Sequence, residues 1–101
     1  MDYNLYQSLA LKTAIYPNQG KNLAYTALGL TEEIGEACDK FLHQDSEGLL
    51  KEIGDVLWYI SVCASEIQVS LKEVADQRSL IVTKPVPELF TELYTQASII
   101  S

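Results

Sequence analysis

Apolar residues recur three and four positions apart along most of the chain, the spacing of one face of an α-helix rather than the alternation of a strand. Residues 3–16 carry Leu5, Tyr6, Leu9, Ala10 and Ile15 as a first helix. Tyr16-Pro17-Asn18-Gln19-Gly20 ends it, because Pro17 disfavours a helical residue before it and Asn/Gly supply turn chemistry. A second helix is predicted from about Asn22 to His43, on a stripe of Leu23, Ala27, Leu30, Ile34, Ala37, Cys38 and Phe41. His43-Gln44-Asp45-Ser46 is a short connection with Ser46 as candidate N-cap. The clearest pattern, about 47–69, places Leu49, Leu50, Ile53, Val56, Leu57, Ile60, Cys63, Ala64 and Ile67 together. Ser70-Leu71-Lys72-Glu73 has the form of a capping box and opens a helix to about Leu80. Lys84-Pro85-Val86-Pro87 breaks the pattern, and Glu88–Ile100 sets Leu89, Phe90, Leu93, Tyr94 and Ala97 on one face, to cover the bundle or meet a partner chain. Only Leu80-Ile81-Val82-Thr83 resembles a strand. Short connections between long amphipathic helices imply antiparallel neighbours, so the fold expected is all-α.

Length changes this picture little: 101 residues make one domain. Charge changes it more. Seven basic residues against fourteen acidic ones leave a net charge of −7, which argues against binding nucleic-acid backbones. The same excess suits a site that takes divalent cations. Met1-Asp2-Tyr3-Asn4 lacks the basic and apolar regions of a signal peptide, and the apolar run around Val56–Ala64 is too short to span a bilayer. A cytoplasmic protein without membrane contact is expected. Cys38 and Cys63 have no Cys-x-x-Cys or His partner, so both read as buried free thiols.

The candidate chemistry lies in a repeated phrase. Glu32-Glu33-Ile34-Gly35-Glu36 and Glu52-Ile53-Gly54-Asp55 each contain Glu-Ile-Gly-acid, with fifteen residues between Glu36 and Glu52. Helical spacing points Glu33 and Glu36 one way, and Glu52 and Asp55 likewise. If the two helices pack antiparallel, four carboxylates converge. Their repulsion calls for cations, and hard oxygen ligands suit Mg²⁺ or Mn²⁺. Acid pairs alone are weak support, since fourteen acids would give about two i,i+3 pairs by chance where the chain has four. Gly35 and Gly54 say more. Each costs its helix about 1 kcal/mol relative to Ala and leaves room for another backbone or a hydrated ion. The plainer alternative is tight helix packing beside surface acids.

At these residues the sequence resembles the MazG-like branch of the all-α nucleoside triphosphate pyrophosphohydrolases, a superfamily with Glu-Glu-x-x-Glu followed by Glu-x-x-Asp. Lys21-Asn22-Leu23, Leu28-Gly29-Leu30 and Gly54-Asp55-Val56-Leu57-Trp58-Tyr59 match as well, and the resemblance covers about residues 3–75. It implies a four-helix-bundle-like core, Mg²⁺ dependence with Mn²⁺ as substitute, and cleavage of a (d)NTP between its α- and β-phosphates. By carry-over, Glu33, Glu36, Glu52 and Asp55 hold the metal. Glu32, or one of those glutamates, orients the attacking water. Lys21, Asn22 and Lys40 are candidates for the phosphates. Tyr59, one turn from Asp55, is the candidate to face the base, although its spacing is also that of core. His43 stands alone and is not read as a general base.

The single domain, 1–101, departs from the pattern from about residue 77 on. MazG-like chains continue with an Asn-Leu-x-Lys-Leu-like stretch and further basic residues, where this chain keeps only Arg78 and Lys84 before a mostly apolar tail. Family members form dimers or dimers of dimers, and an apolar tail on a small chain is consistent with burial in a homodimer or homotetramer. Two readings follow: an Mg²⁺-dependent pyrophosphohydrolase, or a noncatalytic helical module of the same descent that binds a nucleotide or partner. A third, an acidic mimic of nucleic acid, leaves both mid-helix glycines unexplained.

Overall fold

Four capping side chains set where the helices begin. The computed structural model describes residues 1–77, as α1 (Tyr3–Thr13), α2 (Leu23–Leu42), α3 (Ser46–Glu66) and α4 (Leu71–Asp76). Asp2, Asn22, Asp45 and Ser70 each accept a hydrogen bond from the backbone N–H three residues on, satisfying a donor the first turn leaves without a helical partner. Ser46 is therefore not the cap of α3; Asp45 is, with Gly48 N at 2.9 Å. The predicted helix past Gln77, the strand-like Leu80–Thr83 stretch, the breaker, the 88–100 segment and the basic Arg78 and Lys84 lie outside the described residues.

The helix ends are equally specific. α2 and α3 both close in Schellman motifs. Asp45 N donates to Lys40 O and Gln44 N to Phe41 O, while Val69 N donates to Ala64 O and Gln68 N to Ser65 O. In each the residue with left-handed backbone is a glutamine, Gln44 at φ 56° and Gln68 at φ 63°. α1 stops three residues before the expected Tyr16. Thr13 Oγ1 folds back onto Ala10 O, Ala14 turns extended and buries itself, and Ile15 is left 90% exposed.

α3 is the hub, touching α1, α2 and α4, and no strand occurs among the described residues. The three-residue connection 43–45 folds α2 back along α3 as an antiparallel pair. Gln7 of α1 clasps the α3–α4 turn. Its Nε2 donates to Ser65 Oγ at 2.9 Å and Val69 O at 3.1 Å, and its Oε1 accepts from Leu71 N at 2.9 Å. The loop before α2 is gathered by one carboxylate at the end of α3. Glu66 accepts from Gly20 N and Asn22 N, and from the hydroxyl of Tyr16, whose ring stacks on Tyr25 at 4.9 Å.

Burial departs from the simple stripe. Val62 and Leu71 apart, the buried positions are small or polar: Ala10, Ala14, Ala64, Thr26, Ser61 and Glu52. Phe41 is 68% and Ile53 54% exposed, and these two with Ile34, Ala37, Cys38, Leu49 and Val56 line an open apolar groove. Cys38 is thus exposed rather than buried, and Cys63 only half-buried. The reason is geometric: that flank of the α2–α3 pair faces away from α1 and α4. No described helix is long and apolar enough to cross a membrane.

Glu66 supplies a test of the loop. Its pKa is held below the ordinary 4.5, first by the Tyr16 hydroxyl and then by the Asn22 and Gly20 N–H groups. A carboxylate depressed in the folded state stabilises it above its unfolded pKa, and that contribution is lost as pH falls through the folded value. Glu66→Gln should lower the melting temperature at pH 7 and flatten its decline below about pH 4.5. Parallel melting curves for the two proteins from pH 7 to pH 3 would exclude the clamp.

Candidate metal centre

The antiparallel pairing of α2 and α3 brings the two acidic phrases together. Glu33 and Glu36 lie on consecutive turns of α2, and Glu52 faces them from α3. One carboxylate oxygen from each lies within 4.8 Å of the others. Burial grades across the group: Glu52 is 6% exposed, Glu33 half-buried and Glu36 open to solvent. Among the described residues, Oε2 of Glu33 and Oε2 of Glu52 are buried with no hydrogen-bond partner. Buried carboxylate oxygens without donors are uncommon because nothing replaces the lost water. Three hard oxygen donors, two of them buried and unpartnered, fit a small divalent cation.

Repulsion leaves its mark on Glu33. Its pKa rises from 4.5 to about 7, chiefly through the hydrogen bond its acid form makes to Glu52, then through burial, the charge of Glu36, a hydrogen bond to Glu36 and the charge of Asp55. A proton on Glu33 and a cation among the carboxylates would relieve the same repulsion.

The remaining candidates divide by position. Asp55 stands one turn beyond Glu52, close enough for its charge to act on Glu33, but its Oδ2 is taken by Lys51 Nζ at 3.0 Å. Glu32, Gly35, Glu36, Asp39, Lys40 and Glu52 line one open cleft of about 570 Å³. Lys40 is brought to the carboxylates in this way, tied loosely to Asp45 at 3.8 Å. Lys21 and Asn22 are not: they sit at the far end of α2, about three turns from Glu33. Asn22 there caps the helix and donates from Nδ2 to Pro17 O at 2.8 Å.

Tyr59 lies beside the site with its ring against the backbone of α2. A Cβ on Gly29 would collide with the Tyr59 ring, so this close approach requires glycine. The Tyr59 hydroxyl pKa is raised by burial and by the charges of Tyr25, Glu33, Glu32 and Asp55, which marks its nearness to the acids. Around Gly35 and Gly54, by contrast, nothing lies within 4 Å of where a Cβ would stand. Tight helix packing is therefore not their reason among the described residues; Gly35 opens onto the cleft. Two neighbours of the site are not among the site residues expected from the sequence. Lys51 is legible in hindsight, being four residues before Asp55 and next to Glu52. Tyr6, whose pKa is raised by burial and by Asp55, carries no sequence signal, since its approach depends on how α1 docks.

The profile of the MazG nucleotide pyrophosphohydrolase domain matches residues 21–84. The chain is also similar to the Gene 37 protein of Mycobacterium phage L5, 34% identical over 96 residues, covering 79% of this chain and 83% of that protein. No solved structure matches it.

The shared proton gives the ion-free protein a signature. A carboxyl whose folded pKa is raised stabilises the fold fully below its unfolded pKa of 4.5, and the contribution is lost as pH rises through about 7. With chelator present the melting temperature should fall between pH 5.5 and 8, and Glu33→Gln should remove that slope. A chelated wild type with a flat profile over this range would show that the three carboxylates are not coupled.

Proposed function

This chain belongs to the MazG nucleotide pyrophosphohydrolase domain family, and from that premise we propose that it hydrolyses (d)NTPs between the α- and β-phosphates with Mg²⁺. The observation that carries the proposal is the convergence of Glu33, Glu36 and Glu52, with two of their buried oxygens lacking a hydrogen-bond partner among the described residues. A nucleoside triphosphate is polyanionic, so it cannot enter a cleft of carboxylates unaided. Divalent ions held there would neutralise both sides, polarise the phosphoryl group and favour departure of pyrophosphate.

The chain's own groups take the following parts in this proposal. Glu33, Glu36, Glu52 and Asp55 would hold Mg²⁺, with Mn²⁺ as substitute. Glu32, exposed on the same cleft wall, or one of those glutamates, orients water for attack on the α-phosphorus. The water oxygen bonds to that phosphorus as the α–β bridging bond breaks, giving nucleoside monophosphate and pyrophosphate. Lys40 meets the phosphates from within the cleft. Tyr59 presents its edge to the base. Lys21 and Asn22 reach the substrate only if it extends along α2, so their part is the least supported by position.

The proposal extends to assembly and place. A homodimer or homotetramer is supported by the apolar flank of α2 and α3, where Ile34, Phe41 and Ile53 stand exposed. The −7 charge supports a protein that leaves nucleic acid alone, and the cytoplasm is the proposed compartment.

Turnover of a panel of NTPs and dNTPs with Mg²⁺, separating pyrophosphate from orthophosphate, tests the reaction. Pyrophosphate with monophosphate is expected, and orthophosphate would indicate a different phosphohydrolase. A folded, ion-binding protein without turnover would favour the noncatalytic relative. Glu36→Gln and Asp55→Asn should each lower turnover by about 100-fold or more with helicity unchanged by circular dichroism. Full activity in both would end the assignment. For assembly, Phe41→Asp should reduce the mass measured by sedimentation equilibrium, whereas a wild type already monomeric at about 100 µM would count against the oligomer.

A further inference from the structure

Lys51 is set apart from the other paired lysines by what it touches. Its Nζ lies 3.0 Å from Asp55 Oδ2 and 3.7 Å from Glu52 Oε1. The α4 pair of Lys72 with Asp76 shows what an ordinary i,i+4 surface pair looks like in this protein. It is 2.8 Å long, both side chains are more than 60% exposed, and among the described residues it reaches no second acid. Lys51 is comparably free at 71% exposure, but one of its two partners, the Glu52 side chain, is only 8% exposed. The ammonium therefore bridges an open carboxylate and a buried one, and the buried one also belongs to the candidate metal centre.

That position is one a divalent ion would contest. An ion drawing on Glu52 and Asp55 would have to share with the ammonium the carboxylates it now neutralises, and two cations on the same carboxylates repel. Lys51 has four rotatable bonds and an exposed stem, so it can leave, while Glu52, fixed by its burial, cannot follow. We propose that Lys51 is a displaceable counter-ion, holding Glu52 and Asp55 in the ion-free protein and giving them up when the divalent ion enters. It is a positioning residue: it keeps the acids poised without an ion and sets how strongly an ion must bind to take them. The inference rests on the carboxylate cluster being the ion site.

Direct Mn²⁺ titration at low ionic strength, with free ion followed by electron paramagnetic resonance, tests this without reference to turnover. Lys51→Met keeps the apolar stem and removes the charge. It should bind Mn²⁺ about two- to fivefold more tightly than wild type, the range expected for an exposed pair. Its melting temperature should fall in chelator and match wild type with Mn²⁺, so the ion-induced rise is larger. Lys51→Arg should retain the wild-type affinity or bind more weakly, and Lys72→Met should change nothing. Unchanged or weaker binding in Lys51→Met overturns the proposal, as does equal tightening in Lys51→Arg, which would assign the effect to the stem. Failure of the site itself looks different: Glu36→Gln would then bind Mn²⁺ as wild type does, whatever Lys51 does.

Discussion

Everything distinctive about this protein depends on two helices being forced to share their acids. The α2–α3 connection is three residues long and closed by a Schellman motif, so α2 must return along α3 in one register. That register sets Glu33 and Glu36 against Glu52, an arrangement unfavourable by Coulomb's law alone. Two features bear on that repulsion: the raised proton affinity of Glu33, and the ammonium of Lys51 set against Glu52 and Asp55.

The rest of the described fold serves that pairing by fixing α3. Gln7 ties α1 to the turn after α3, Trp58 donates to Thr13 Oγ1 at 3.0 Å, and Glu66 anchors the loop that leads into α2. The buried interior around α3 holds Ala10, Thr26, Ser61 and Ala64 together with Val62 and Leu71, so most of it is small. Small residues there let the helices approach closely. The larger apolar residues are displaced to the outer flank of α2 and α3.

The helices and the acidic pairing were legible in the sequence because both depend on local spacing. The start of α2 at Asn22 and of α4 at Ser70 follow from capping chemistry that the residues announce. The ends were harder to read. Gln44 and Gln68 adopt left-handed backbone where glycine or asparagine is the usual signal, so nothing in the composition marks α3 as stopping at Glu66. The burial of Thr26 and Ser61, and the exposure of Phe41 and Ile53, belong to tertiary geometry: periodicity says which residues share a face, not what that face meets. The same limit hid Tyr6, which reaches Asp55 from another helix, and left Lys21 and Asn22 grouped with a cluster that stands at the opposite end of α2.

The contact between Gly29 and Tyr59 carries a consequence for how α2 and α3 are spaced. It lies one turn from Glu33, where the Tyr59 ring rests on α2 backbone that bears no side chain. The gap between the helices there is gauged by the thickness of an aromatic ring laid on bare backbone. A residue with no charge and no side chain works as a spacer one turn from the acids.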